Sequence, residues 1–130
     1  MNTPSKELIT EVLEIEKPDN ITLIVGNKYN NNIKQTLFIE YNDESGPIMF
    51  NIYEFAFKCK EWAFKQGYKI LSGYDVFEDT FTSYINLKLS YRNKKHYADW
   101  DYDNSFDTET ELEAIFKACE WILLQIKDNK

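Results

Sequence analysis

The chain has 130 residues, 43% hydrophobic and 28% charged, values that fit a single globular domain over residues 1–130 and exclude a disordered segment. Its formal charge is −7 and Arg92 is its one arginine, which argues against direct nucleic-acid binding, where basic stripes and guanidinium forks make the contacts. No apolar run approaches the ~20 residues of a membrane span, and residues 1–16 form a charged amphipathic stretch unlike a secretory leader, so no membrane association is expected and the expected compartment is the cytoplasm.

Thr3-Pro4 reads as a helix start, with Leu8, Ile9, Val12 and Leu13 as an apolar stripe opposite Glu7, Glu11 and Glu14. Lys17-Pro18-Asp19-Asn20 ends that helix, and residues 21–25 follow as a strand. After an Asn-rich loop, a second strand over about 33–41 is expected to pair with the first as a hairpin. Residues 42–47 read as a turn leading into a short apolar piece, Ile48-Met49-Phe50. Asn51 with Glu54 three residues on predicts an N-cap, and Ile52, Phe55, Ala56, Cys59, Trp62 and Ala63 recur at helical spacing until Gly67.

A strand over 68–72 comes next, then a turn through Gly73 and Asp75. Residues 81–91 form the longest predicted strand, with Phe81, Ile85, Leu87, Leu89 and Tyr91 on one face and Thr82, Tyr84, Asn86 and Lys88 on the other. Arg92-Asn93-Lys94-Lys95 is a hairpin turn and residues 96 to about 102 the returning strand. Thr108 with Glu111 predicts a capping box for a final helix to about Lys127, burying Leu112, Ile115, Phe116, Cys119, Ile122, Leu123 and Ile126. The expected fold class is α+β, a largely antiparallel sheet of about five strands packed by three helices, in the order α-β-β-α-β-β-β-α.

Phe57-Lys58-Cys59-Lys60-Glu61-Trp62 and Phe116-Lys117-Ala118-Cys119-Glu120-Trp121 form a faint internal repeat, explained most simply by two helices solving the same packing problem. The first of these helices, the Gly67-bounded hairpin region and the closing Glu-Ala-Ile-Phe-Lys-Ala-Cys helix together resemble small phage and prophage proteins that form an α-β-α sandwich. The resemblance covers about Phe50 to Ile126. It implies an accessory protein of a virus or mobile element, acting in the host cytoplasm, and transfers no catalytic residue. A proline that often precedes the closing Glu-Ala in that group is Leu112 here.

The acids are unevenly placed: Asp99, Asp101, Asp103, Asp107, Glu109, Glu111 and Glu113 fall in one segment without a Lys or Arg. Asp99, Asp101, Asp103, Ser105 and Asp107 match alternate positions of a calcium loop, but Asn104 stands where a glycine is needed and Thr110 where a bidentate Glu is needed. A strand with Asp99, Asp101 and Asp103 toward solvent is the simpler reading. The run Asp99, Trp100, Asp101, Tyr102 and Asp103 is therefore the candidate contact surface for a protein partner with a basic surface. The chain carries nine Phe, nine Tyr and three Trp, a surplus of rings suited to contact surfaces.

Tyr91, Arg92, Lys94, Lys95 and Tyr97 are the alternative site, a basic cluster among rings that suits a small anionic ligand such as a nucleotide. His96 lacks a recognisable catalytic neighbour, and Cys59 and Cys119 read as small buried hydrophobes. No zinc spacing, phosphate loop or nucleophile motif is present, so neither metal nor cofactor is expected. The sequence favours a non-catalytic binding protein that binds a host macromolecule. A ligand-sequestering protein, as a symmetric homo-oligomer, is the first alternative, and a metal-dependent enzyme using Asp carboxylates the second.

Overall fold

The first helix, α1 (Lys6–Leu13), starts where a side chain can hold its open N–H groups: Ser5 Oγ accepts from Leu8 N at 3.1 Å. Ser5 is thus the N-cap, two residues past the expected Thr3, and Pro4 lies buried just outside the helix. Glu14 closes it in the left-handed region (φ 56°), donating its N–H to Thr10 O. The computed structural model describes residues 3–24, 36–87 and 101–128, giving the backbone alone at 24, 84, 86–87 and 101–104. By internal packing the chain divides within one helix into two compact units, Asn2–Lys58 and Cys59–Lys130.

In the first unit, β1 (Asn20–Ile24), β2 (Thr36–Glu40) and β3 (Ile48–Asn51) form an antiparallel sheet in that order. Leu37 stands opposite Leu23 and Phe50, and Ile39 opposite Ile21 and Ile48, so six apolar residues share a face. Leu37 and Ile39 on the central strand are fully buried. The link from α1 to β1 is tied to the end of β2: Asp19 N donates to Glu40 O at 2.9 Å, Asn42 N to Asp19 Oδ2 at 2.7 Å, and Tyr41 Oη to Glu16 O at 2.6 Å.

The helix that follows, α2 (Ile52–Lys65), begins as its sequence predicts. Asn51 Oδ1 accepts from Tyr53 N at 2.8 Å and Glu54 N at 3.2 Å. It ends at Gly67, whose φ of 98° suits a residue without a Cβ.

In the second unit, β4 (Tyr68–Asp75), β5 (Thr80–Leu87) and β6 (Asp101–Thr108) form another antiparallel sheet in that order. The last helix, α3 (Glu111–Asp128), lies across all three strands. Ser83 Oγ, fully buried on β5, donates to Ala114 O on α3 at 2.7 Å, and Ile85 on the same face is buried with it. The α3 cap is Thr110, whose Oγ1 accepts from Glu113 N at 3.2 Å, whereas the expected Thr108 is the last residue of β6. Leu112, Ile115, Phe116, Cys119, Ile122 and Leu123 are buried as the spacing predicts, while Ile126 is only half-buried and Ala114 and Ala118 join the core.

Among the described residues the order is α-β-β-β-α-β-β-β-α. The α+β class agrees with the sequence, but six strands in two three-stranded sheets replace the single sheet of about five strands. The added strand is β3, whose four residues are too short and too uniformly apolar to show alternation. The repeat does not create matched surfaces: Phe57 is 65% exposed on α2, whereas its counterpart Phe116 is 4% exposed on α3.

Removing the cap hydroxyl by Ser5→Ala should cost about 1 kcal/mol in denaturant unfolding, and Thr3→Ala less than about 0.5 kcal/mol. Ile122→Ala, at a fully buried position of α3, should cost about 2–5 kcal/mol by the same measurement.

Candidate functional site

Of the residues singled out by sequence, Asp99, Trp100, Tyr91, Arg92, Lys94, Lys95, His96 and Tyr97 lie outside the described residues. Asp101, Tyr102 and Asp103 open β6, which pairs with β5 alone among the described strands and so forms one edge of the sheet. The returning strand, expected over 96–102, thus extends through Thr108. Extended backbone over Asp101–Thr108 is also not the coiled loop that calcium ligation at these positions needs. From Thr108 back to Ser105 the residues of β6 pair one for one with β5, but the register then shifts so that Asp101 stands opposite Ile85. The irregularity falls over residues 102–104, inside the candidate contact run.

A feature that the sequence reading missed lies at the β4–β5 turn. The turn was expected through Gly73 and Asp75, yet both belong to β4, and the chain reverses over Val76, Phe77, Glu78 and Asp79. Asp75 Oδ1 accepts from Phe77 N at 3.0 Å and Glu78 N at 3.3 Å, and Asp79 takes a left-handed φ of 53°. Tyr74 Oη donates to Asp79 Oδ1, and the Tyr74 ring packs edge-on against Phe81 across the hairpin, with centroids 5.3 Å apart. The reversal so braced holds Val76 76% exposed and Phe77 98% exposed, between the carboxylates of Asp75, Glu78 and Asp79. An apolar pair inside a turn flanked by acids was the available signal.

At the opposite end of β4 a groove of about 330 Å³ lies between the end of α2 and the start of the strand, lined by Lys60, Glu61, Phe64, Lys65, Lys69 and Ile70. Three lysines against the single carboxylate of Glu61, beside the Phe64 ring and the sec-butyl group of Ile70, make it net cationic and partly apolar in an otherwise acidic chain.

Cys59 and Cys119 are buried free thiols, and Cys119 Sγ donates to Cys59 O at 3.7 Å. Burial pushes the Cys59 thiol well above its ordinary range, with Cys119 and the Glu120 charge adding to the effect. Among the described residues no group of three or more His, Cys, Asp or Glu side chains could hold a metal ion, and no helix is long and apolar enough to cross a membrane. No protein-family model, curated protein or solved structure matches the chain.

The raised Cys59 thiol is protonated in the fold at pH values where the unfolded thiol ionises. Its contribution to stability should therefore be complete below the unfolded thiol pKa and fall as pH rises above it. Unfolding midpoints measured across the alkaline range should fall less steeply in Cys59→Ala than in the unmutated chain.

Proposed function

We propose that the protein is a non-catalytic binding protein whose acidic C-terminal third docks on the basic surface of a macromolecular partner, as an accessory protein of a phage or mobile element acting on a host factor. One observation carries the reading: the acid-rich run enters the second sheet as its edge strand, β6. A run at a sheet rim can meet a flat partner surface along its length. The segment from Asp99 to Glu113 holds seven acids and no cation, of which Asp101, Asp103 and Asp107 lie on β6, and this charge steers a basic partner and repels acidic ones. The resemblance to small phage proteins supports the accessory role.

Reversing the charges at Asp99, Asp101 and Asp103 together should abolish capture of the partner from host lysate while leaving the thermal melt within a few degrees of the parent. Capture that survives all three reversals would falsify the acidic docking face.

A second reading rests on the lysine groove, which suits a small anionic ligand with an apolar body. This groove is a candidate distinct from Tyr91, Arg92, Lys94, Lys95 and Tyr97, which fall outside the described residues. Adenosine triphosphate in large excess should then raise the melting temperature, and Lys60→Glu with Lys65→Glu should remove the rise. An equal rise in the double variant would exclude the groove.

A further inference from the structure

The edge opposite β6 has different chemistry. Strand β4 pairs with β5 alone among the described strands, so its outer side is the second edge of the sheet, eight residues long. It has no proline or register break, devices that blunt strand edges, and its charged members are one lysine and one aspartate.

We propose that β4 is a self-recognition edge at which two copies of this chain join antiparallel about a two-fold axis at Ser72, making one continuous six-stranded sheet. In that register Lys69 of each copy stands opposite Asp75 of the other, two opposite-charge pairs on the sheet face away from α3. Leu71 stands opposite Gly73, where added bulk meets nothing within 4 Å, and Leu71 is 38% exposed in the single chain. Ile70 meets the half-exposed Tyr74, and Tyr68 meets the exposed Val76. Beyond the strand, the hairpin tip of each copy runs on past Tyr68 of the other toward the groove, where Lys60, Lys65 and Lys69 outnumber the single acid Glu61. The acids Asp75, Glu78 and Asp79 face lysines there, and the projecting Phe77 faces the apolar floor of Phe64 and Ile70.

Charge selects the occupant. The tip is acidic and apolar, the groove basic and apolar, and both lie on the same unit of the same chain, one beyond each end of β4. Self-pairing of β6 would instead set aspartates among aspartates without a cation in the strand. Among the described residues the β1 and β3 edges offer five and four residues and no charge to fix a register.

The test is sedimentation equilibrium of the full chain over the micromolar range, with Ser72→Cys as a geometric probe. Wild type should show a concentration-dependent dimer, and Lys69→Glu should weaken it at least about tenfold, because both pairs then become repulsive. Directly opposed residues of an antiparallel pair lie within disulfide reach, so Ser72→Cys should crosslink to a covalent dimer under mild oxidation. Ser45→Cys, in an exposed turn far along the chain, should not, and the native thiols are buried and silent. A monomer throughout the range, a dimer indifferent to Lys69→Glu, or a Ser72→Cys crosslink no faster than that of Ser45→Cys overturns the proposal.

Discussion

A three-stranded sheet has one strand with both sides paired and two with a side left open, and every unpaired backbone N–H or C=O there seeks a partner. The described residues build two such sheets, so four strands, β1, β3, β4 and β6, have a side left open among them. The central strands illustrate the first half of the problem: Leu37 and Ile39 of β2, and Ser83 and Ile85 of β5, are nearly or fully inaccessible. The edges show the second half, and each has its own composition. Strand β6 carries acids and a shifted register, β1 and β3 are short and uncharged, and β4 is long, regular and nearly neutral.

The second sheet can present its edges because α3 fixes its inner face. The hydroxyl of Ser83 reaches the Ala114 carbonyl, Ser72 Oγ donates to Glu111 Oε1 at 2.8 Å, and Tyr68 meets Trp121 edge-on at 5.9 Å. These contacts pin β4 at Tyr68 and Ser72, and β5 at Ser83, to one helix. On the other face, Thr80 and Thr82 hold buried hydroxyls without a hydrogen-bond partner among the described residues. On that face Thr82 is 4% exposed while Leu71 is 38% exposed, so the covering is local.

How much of this could be read from sequence depends on whether a signal was local. Asn51 as a cap and Gly67 as a stop are local chemistry, and both stand where expected. The parity of β5 and the buried stripe of α3 follow from period alone and are equally legible. The cap of α3 was not, because Thr108-x-x-Glu111 and Thr110-x-x-Glu113 are the same motif, and only the pairing of Thr108 with Phe81 decides between them. Gly73 suggested a turn by composition, yet it stays in the strand because Asp75 supplies the turn acceptor two residues later. The basic tyrosine cluster and the start of the acidic run fall outside the described residues, so the candidate site was only partly placed.

The two edges of the second sheet also bear on each other. Joining β4 to β4 leaves β6 at both ends of a six-stranded sheet, roughly 24 Å apart at ordinary strand spacing. The two-fold axis of such a dimer would stand perpendicular to the sheet, so both α3 helices would lie on one face and both acidic edges would point outward. A partner with an extended basic surface would then meet two equivalent edges on one rigid body, and the second contact would form at high effective concentration. Weak individual charge contacts, each worth little when exposed to solvent, become selective when they are presented in a fixed pair. In that arrangement the β4 edge would close the assembly, and the acidic edge on β6 would stay open for a different partner.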